Sequence, residues 1–464
     1  MVFSSITFVY AFFPLVAVAY YLSKNRVYRN VVLLLASLLF YSWGEPRFLL
    51  LMLAATLAAY CGGLLMERST AHKRLILIVT VVLLVGNLFV FKYLNFFSEN
   101  LSALFGWSAL PKLTLPIGIS FYTFQILSYV IDLYRGEIRV QRNYFYLLLY
   151  VSFFPQLIAG PIVRYSDIAV QLKTREHSIS EAASGARRFI LGLAKKILLA
   201  NLLGELVSSF RASADLSVLY YWLGAIAFTL QIYYDFSGYS DMAIGLGRIF
   251  GFRFPENFQY PYLSGSITEF WRRWHISLGS WFRDYLYIPL GGNRKGSARQ
   301  LLNILLVWLA TGLWHGAAWN FVLWGLLYAV LLTAEKLFVL RGLQKLHVLN
   351  HVYVLLFVTL GFVLFDASSV QDAAQSIRAM FGGGGLPLVS AESLYELRSC
   401  TVLLLLAVAG ATPLAKSLCA AVQRSRAGKT ALAVLEPVGL TALLAVCTAF
   451  LVDGSFNPFL YFRF

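Results

Sequence analysis

Charge is scarce in this chain, and what there is leans one way. Only 13% of the 464 residues are charged, and 38 Lys and Arg stand against 22 Asp and Glu. Soluble domains carry about 25%. With 59% of residues apolar, in runs near the roughly 20 residues that span a bilayer, a water-soluble domain is excluded and a polytopic membrane protein is expected. Cysteine is nearly absent. Cys61, Cys400, Cys419 and Cys447 show no CxxC or paired spacing, so neither a disulfide framework nor a metal site is expected. A leader with a basic start and a small-residue cleavage site is also missing before Lys24, so Val2 to Leu22 reads as a retained first span.

The net charge of +16 is explained by topology rather than by a nucleic-acid partner. Basic residues gather in short loops: Lys24 to Arg29, Arg68 to Arg74, Arg135 to Arg142, Arg187 to Lys196, Arg248 to Arg299, Lys336 to Lys345 and Arg424 to Lys429. If all face the cytoplasm, each intervening apolar stretch crosses an even number of times. Residues 30 to 66 do so around Trp43-Gly44-Glu45-Pro46, residues 75 to 134 through an outer loop near Glu99 to Thr114, and residues 197 to 247 around Arg211 to Asp215. Both termini then fall outside.

Two stretches do not fit simple spans. The run ending Phe154-Pro155-Gln156-Leu157-Ile158-Ala159-Gly160-Pro161 is broken by Pro and Gly. A re-entrant helix is expected there, since irregular backbone at membrane depth survives only when buried in protein. The second stretch, 301 to 335, must form a complete hairpin, and arms of about 17 residues reach only about 26 Å. Near its apex stands His315, in Gly312-Leu313-Trp314-His315-Gly316. An ionisable residue at that depth is costly, and two readings fit it: a functional base, or a core histidine bonded to a neighbouring carbonyl. A base so far from the basic loops implies a polar passage into the membrane.

Gly251 to Gly296 supplies polar sequence for such a passage. Helical periodicity from Ser266 to Tyr285 puts Phe270, Trp274 and Trp281 broadly on one side and Arg272, Arg273 and Arg283 elsewhere, which describes an interfacial helix. Its arginines, with Arg294 and Lys295 of the Gly-Gly-Asn-Arg-Lys-Gly turn, suit either a phosphate-bearing substrate or anionic lipid. Asp235, Ser237 and Asp241 are polar residues in an apolar stretch and serve either helix packing or a histidine.

Three long motifs together resemble the membrane-bound O-acyltransferase superfamily: FWRRWHISLGSWFRDYLYIPLGGNRKG (Phe270 to Gly296), GLWHGAAWNFVLWG (Gly312 to Gly325) and YYDFSGYSDMAIGLG (Tyr233 to Gly247). The opening MVFSS, LPIGISFYTFQ (Leu115 to Gln125) and FPQLIAGPIVRY (Phe154 to Tyr165) extend the likeness over nearly the whole chain, and point to its bacterial alginate O-acetyltransferase branch. The resemblance implies an all-α fold of about 10–12 transmembrane helices with re-entrant and interfacial helices around a central tunnel, in one domain over 1–464. It implies a bacterial cytoplasmic-membrane enzyme moving acetyl from cytoplasmic acetyl-CoA, its substrate rather than a bound cofactor. His315 is the implied catalytic residue, and His275 a second important histidine. Trp274 and the five basic residues named above become candidate donor contacts. Asp235, Asp241, Asn320 and Trp314 become supporting residues, Asn320 and the Trp314 or Trp319 indole as oxyanion donors.

The tail, 453–464, ends Phe459-Leu460-Tyr461-Phe462-Arg463-Phe464. It is similar to an FxYFxF motif whose tyrosine, here Tyr461, is proposed to relay the acyl group to an extracellular SGNH-type partner. An interfacial aromatic anchor is the plainer reading. D-alanyl transfer from a carrier-protein thioester, a transporter and a scaffold are the competing functions, though no inverted repeat is evident.

Overall fold

Long apolar sequence becomes helix throughout, because in lipid the backbone must satisfy its own hydrogen bonds. The computed structural model describes residues 1–108, 110–343, 345–454 and 459–460. Among these residues the sole strand-like pairing is an isolated antiparallel bridge, Phe258 with Trp274. Among the described residues five helices are long and apolar enough to cross a membrane, or six if the bent pair Ala391–Ser399 and Thr401–Gly410 is one span. The protein is an all-α, multi-pass membrane protein. The chain divides into two compact units, Met1–Phe189 with Tyr239–Pro255, and Ile190–Gly238 with Glu256–Phe464.

The first unit holds α1 (Phe13–Tyr21), α2 (Arg26–Ser42), α3 (Leu49–Arg68), α4 (Lys73–Leu88), α5 (Leu94–Phe105), α6 (Ile119–Arg135), α7 (Tyr144–Ser152), α8 (Phe154–Leu157), α9 (Tyr165–Ile168) and most of α10 (Ile179–Ala194). The Trp43 turn joins α2 and α3 as expected. The outer loop starts later than Glu99, because the helix from Lys73 runs on to Phe105 and stops at Gly106, whose φ of 71° permits the left-handed cap. The broken run after Tyr144 is buried inside protein. The chain kinks at Phe153 between α7 and α8, and the freed Phe154 N–H donates to Ser37 Oγ at 3.1 Å. Tyr150 OH lies 3.0 Å from the Val163 carbonyl. Arg164 and Asp167 form a local cap on α9, the Arg164 N–H donating to Asp167 Oδ2 at 2.9 Å.

The second unit holds α11 (Leu202–Ala212), the first two-thirds of α12 (Val218–Ile249), α13 (Ile267–Arg273), α14 (Ile276–Phe282), α15 (Ser297–His315), α16 (Trp319–Ala334), α17 (Leu340–Leu343), α18 (Leu349–Asp366), α19 (Val370–Met380), α20 (Ala391–Ser399), α21 (Thr401–Gly410), α22 (Leu414–Val422) and α23 (Arg426–Asp453). Two expectations change here. The hairpin arms are not short: α15 has 19 residues, and its partner stays helical through Leu343 for 25. Helix continues into the polar flanks because Ser297 to Gln300 and Glu335 to Val339 keep their backbone bonds. The interfacial helix from Ser266 to Tyr285 is instead two short helices, α13 and α14, broken at His275. Phe270, Trp274 and Trp281, placed above at headgroup level, are buried.

Close packing of α15 on α16 depends on glycine. A Cβ at Gly312 would lie 2.2 Å from the Phe321 carbonyl oxygen, and one at Gly325 2.3 Å from that of Trp308. Small residues at such crossings let two backbones approach. Gly312→Val or Gly325→Val is expected to cost about 1–3 kcal/mol by overpacking and to lower the thermal midpoint in detergent. Gly439→Val on α23, where an added Cβ meets nothing within 4 Å, is the matched control and should leave the midpoint unchanged.

Candidate active site

His315 is the last residue of α15, and the chain then turns through an extended Gly316. A side chain at Gly316 would collide with the Phe321 ring, 2.2 Å from its Cβ. Glycine therefore lets the turn close over the histidine. The His315 ring is buried among aromatic edges: Trp314 at 5.0 Å between centroids, Trp324 at 5.0 Å and Phe365 at 5.2 Å. Asn320 sets the last of these. Its amide donates to the carbonyls of Phe365 (3.4 Å) and Ala367 (3.1 Å) at the end of α18. Those N–H groups are thereby committed, so Asn320 holds a wall of the site. Trp319 is exposed and stands outside it. Trp324, whose ring meets His315, has a buried Nε1 that donates to no described residue.

His275 is placed beside Trp314 by a different device. Its backbone sits at φ 44°, ψ 52°, a conformation seldom adopted by a residue with a Cβ and a marker of functional strain. The break is held by short pairing: Gln259 N–H to the Arg273 carbonyl at 2.9 Å, and Ile276 N–H to the Asn257 carbonyl at 3.1 Å. Asn257 Oδ1 accepts from Ser277 N–H at 3.2 Å and Ser277 Oγ at 2.9 Å, so it is the oxygen. His275 Nδ1, 3.2 Å away, must then carry its proton, which leaves Nε2 of the neutral ring as the basic atom. The His275 ring meets Phe236 at 4.6 Å and Trp314 at 5.9 Å. Trp314 therefore contacts both histidine rings.

Glu335 anchors this arrangement. Its buried carboxylate accepts from the Ile267 N–H (2.6 Å), the Thr268 N–H (2.9 Å) and Thr268 Oγ1 (2.6 Å). Those amides are the open first turn of α13, which a negative charge caps well. With that end held, Trp271 packs on Trp324 (5.5 Å) and Tyr328 (4.8 Å).

The sequence-derived supporting residues separate. Asp235 lies in the second unit and binds Lys196 Nζ at 2.5 Å, both groups buried. Its other oxygen accepts the Leu460 N–H at 2.8 Å. Phe459 and Leu460 are buried, and Phe459 lies 5.8 Å from Phe236. That part of the tail packs in protein rather than at a lipid interface; Tyr461 lies outside the described residues. Asp241 lies in the first unit and pairs with Arg188 at 2.8 Å. Lys196, grouped above with a surface cluster, is interior.

The donor candidates also separate. Arg273 is paired with Glu269 at 2.5 Å and Arg283 with Asp284 at 2.7 Å. Arg272, Arg294 and Lys295 are exposed. Trp274 is core, stacked on Phe270 at 5.5 Å. The Gly-rich turn is fastened by Asn303, whose amide donates to the Gly292 carbonyl at 3.0 Å. Reading from sequence overlooked Asn257, Lys196, Glu335 and Trp324. Only Glu335 left a usable signal, as an acid closing an apolar run.

A family model described as MBOAT, membrane-bound O-acyltransferase family, matches residues 135–365. The chain is 40% identical to the probable alginate O-acetylase AlgI of Azotobacter vinelandii over 100% of both chains. It is 44% identical to the probable alginate O-acetylase AlgI of Pseudomonas aeruginosa over 83% of this chain and 75% of that one. With the peptidoglycan O-acetyltransferase of Helicobacter pylori it shares 34% over 84% and 81%.

Removing one partner of a buried ion pair costs about 3–5 kcal/mol, while replacing both costs much less. Lys196→Met should therefore lower the thermal midpoint sharply and Lys196→Met with Asp235→Leu far less, as read by unfolding in detergent. Equal losses in the two variants would show that the pair adds nothing beyond packing.

Proposed function

Because the chain belongs to the membrane-bound O-acyltransferase family, in its alginate O-acetylase-like branch, we propose that it moves acetyl from cytoplasmic acetyl-CoA to an extracellular SGNH-type partner that O-acetylates a polysaccharide or cell-wall glycan. The observation that carries this reading is the pair of buried histidines that both contact Trp314, His275 at 5.9 Å and His315 at 5.0 Å. The protein is an acyltransferase. A bacterial cytoplasmic membrane is the setting its alginate O-acetylase-like relatives imply, and both termini fall outside if the basic loops face the cytoplasm.

The proposed chemistry is nucleophilic relay. The His315 imidazole accepts the proton of the Tyr461 hydroxyl as its oxygen bonds the acetyl carbonyl carbon. The C–S bond breaks, and the CoA sulfur leaves as thiolate and takes the proton back from the imidazolium. The phenyl ester keeps most of the thioester's transfer potential and passes acetyl to a serine hydroxyl of the partner. A base of this kind contributes roughly a hundred- to ten-thousand-fold. The rest comes from positioning and from donors at the oxyanion, for which Trp324 Nε1 is the near candidate. The tail's seat supports the relay: Leu460 is held by Asp235, and Phe459 touches Phe236, the ring on which His275 rests. His275, fixed by Asn257, is assigned to orienting the donor.

Purified protein incubated with acetyl-labelled acetyl-CoA, followed by peptide mass analysis, tests the proposal. Wild type should carry acetyl on the C-terminal peptide, and His315→Ala and Tyr461→Phe should not. Acetyl-CoA consumption that survives Tyr461→Phe would remove the relay and keep the enzyme. No consumption by any variant, with partner added, would point to another acyl donor such as a carrier-protein thioester.

A further inference from the structure

The first unit buries two guanidinium groups that no carboxylate balances. Arg29 and Arg175 are 8% and 6% exposed, and neither forms an ion pair among the described residues. Their partners are all neutral. Arg29 Nε donates to the Ser23 carbonyl at 2.7 Å, and its Nη1 lies 3.1 Å from His177 Nδ1. Arg175 Nε donates to Tyr20 OH at 2.8 Å and Nη1 to Asn30 Oδ1 at 2.7 Å. Both cations sit over the Tyr20 ring, at 5.0 and 5.5 Å, and Arg175 also lies 4.7 Å from the Phe252 centroid. Glu176, the acid nearest in sequence, is exposed.

His177 does not cancel the charge. Tyr20 OH donates to the Phe250 carbonyl at 2.8 Å, so the 2.7 Å contact with His177 Nε2 requires the histidine to be the donor there. Its Nδ1 is then free to accept from Arg29. Burial first, and then Arg29 and Arg175, hold His177 down to about 4, so it is neutral at pH 7. Two positive charges remain. Cation–π contacts offset little of the desolvation of two guanidiniums. Arg175 Nη2 is buried without a hydrogen-bond acceptor, and Arg29 Nη2 makes no hydrogen bond to a described residue.

The surroundings are built. The α1–α2 turn, the 171–177 loop and the chain after α12 converge here, tied by Arg26 Nη1 to the Lys173 carbonyl (2.6 Å) and Arg253 N–H to Gln171 Oε1 (2.7 Å). Gly251, at φ 80°, allows the close approach, since a Cβ there would stand 3.0 Å from His177 Nε2. We propose that Arg29 and Arg175 form a binding site for a phosphate group, each guanidinium offering its uncommitted Nη2 to a phosphate oxygen. The phosphate belongs either to the headgroup of an anionic lipid or to a water-soluble phosphate compound. This site is independent of the acyl-transfer reading.

The test uses the full-length protein, delipidated in detergent and reconstituted in nanodiscs. The ligand-induced rise in thermal midpoint is compared for phosphatidylglycerol discs against phosphatidylcholine discs, and for inorganic phosphate added to the latter. R29Q and R175Q are run beside R175K, which keeps the charge and loses Nη2, and R253Q, whose arginine already pairs with Glu181. A rise only with phosphatidylglycerol assigns the lipid, and a rise with inorganic phosphate assigns the soluble ligand. In either case apparent affinity should fall at least tenfold in R29Q and R175Q, less in R175K, and not in R253Q. No rise with any probe, or one equal in R29Q and wild type, overturns the site. Should R175Q fail to fold, R29Q and R175K decide.

Discussion

A single carboxylate under the first turn of α13 organises the packing around the two histidines. Glu335 takes both free amides of that turn and the Thr268 hydroxyl, satisfying donors that would otherwise be buried without acceptors. Because that end is held from α16's continuation, α13 packs against the α15–α16 hairpin instead of lying flat at an interface. Trp271 then meets Trp308 at 4.7 Å and Trp324 at 5.5 Å. Asn257, paired across the break, turns His275 inward. Each step follows from the need to find every polar group a partner where water is excluded.

Buried and half-buried charge is settled in more than one way in this protein. Lys196 and Asp235 neutralise one another and give a seat to the backbone of Leu460. Arg188 and Asp241 form the equivalent pair in the first unit. Arg29 and Arg175 have only neutral neighbours. The arginines that looked suited to phosphate, Arg273 and Arg283, already face their own carboxylates. A guanidinium's capacity for an external anion depends on what stands beside it, which counting arginines cannot reveal.

Much of the architecture was legible from residue type and order. Long apolar runs between basic loops led to a multi-pass helical protein, and the Pro- and Gly-broken run at 154–161 led to a buried, irregular segment. His315 stood out because an imidazole in an apolar stretch is expensive, and Gly312 and Gly316 beside it fit a tight helix approach. The motifs also led to the right family, because several long segments in one order leave few alternatives. The misreadings share one cause. Helical periodicity from Ser266 to Tyr285 is genuine, yet amphipathic repetition looks alike whether the apolar side meets lipid or protein, and whether or not the helix is broken. Lys196 was misplaced for the same reason: a lysine flanked by other basic residues has the same letters in a loop and in a buried ion pair.

Local chemistry by itself determined the class of solvent and the helical content, since these depend on transfer cost and backbone preference along the chain. Only the tertiary structure decided that Trp314 contacts both His275 and His315, that Asn320's amide is already committed, that Asp235 and Asp241 serve different units, and that two buried arginines lack a counter-charge. Those facts depend on residues tens to hundreds of positions apart meeting within a few ångströms. Hydrogen bonds and charge pairing act over that distance, and sequence separation carries no record of it.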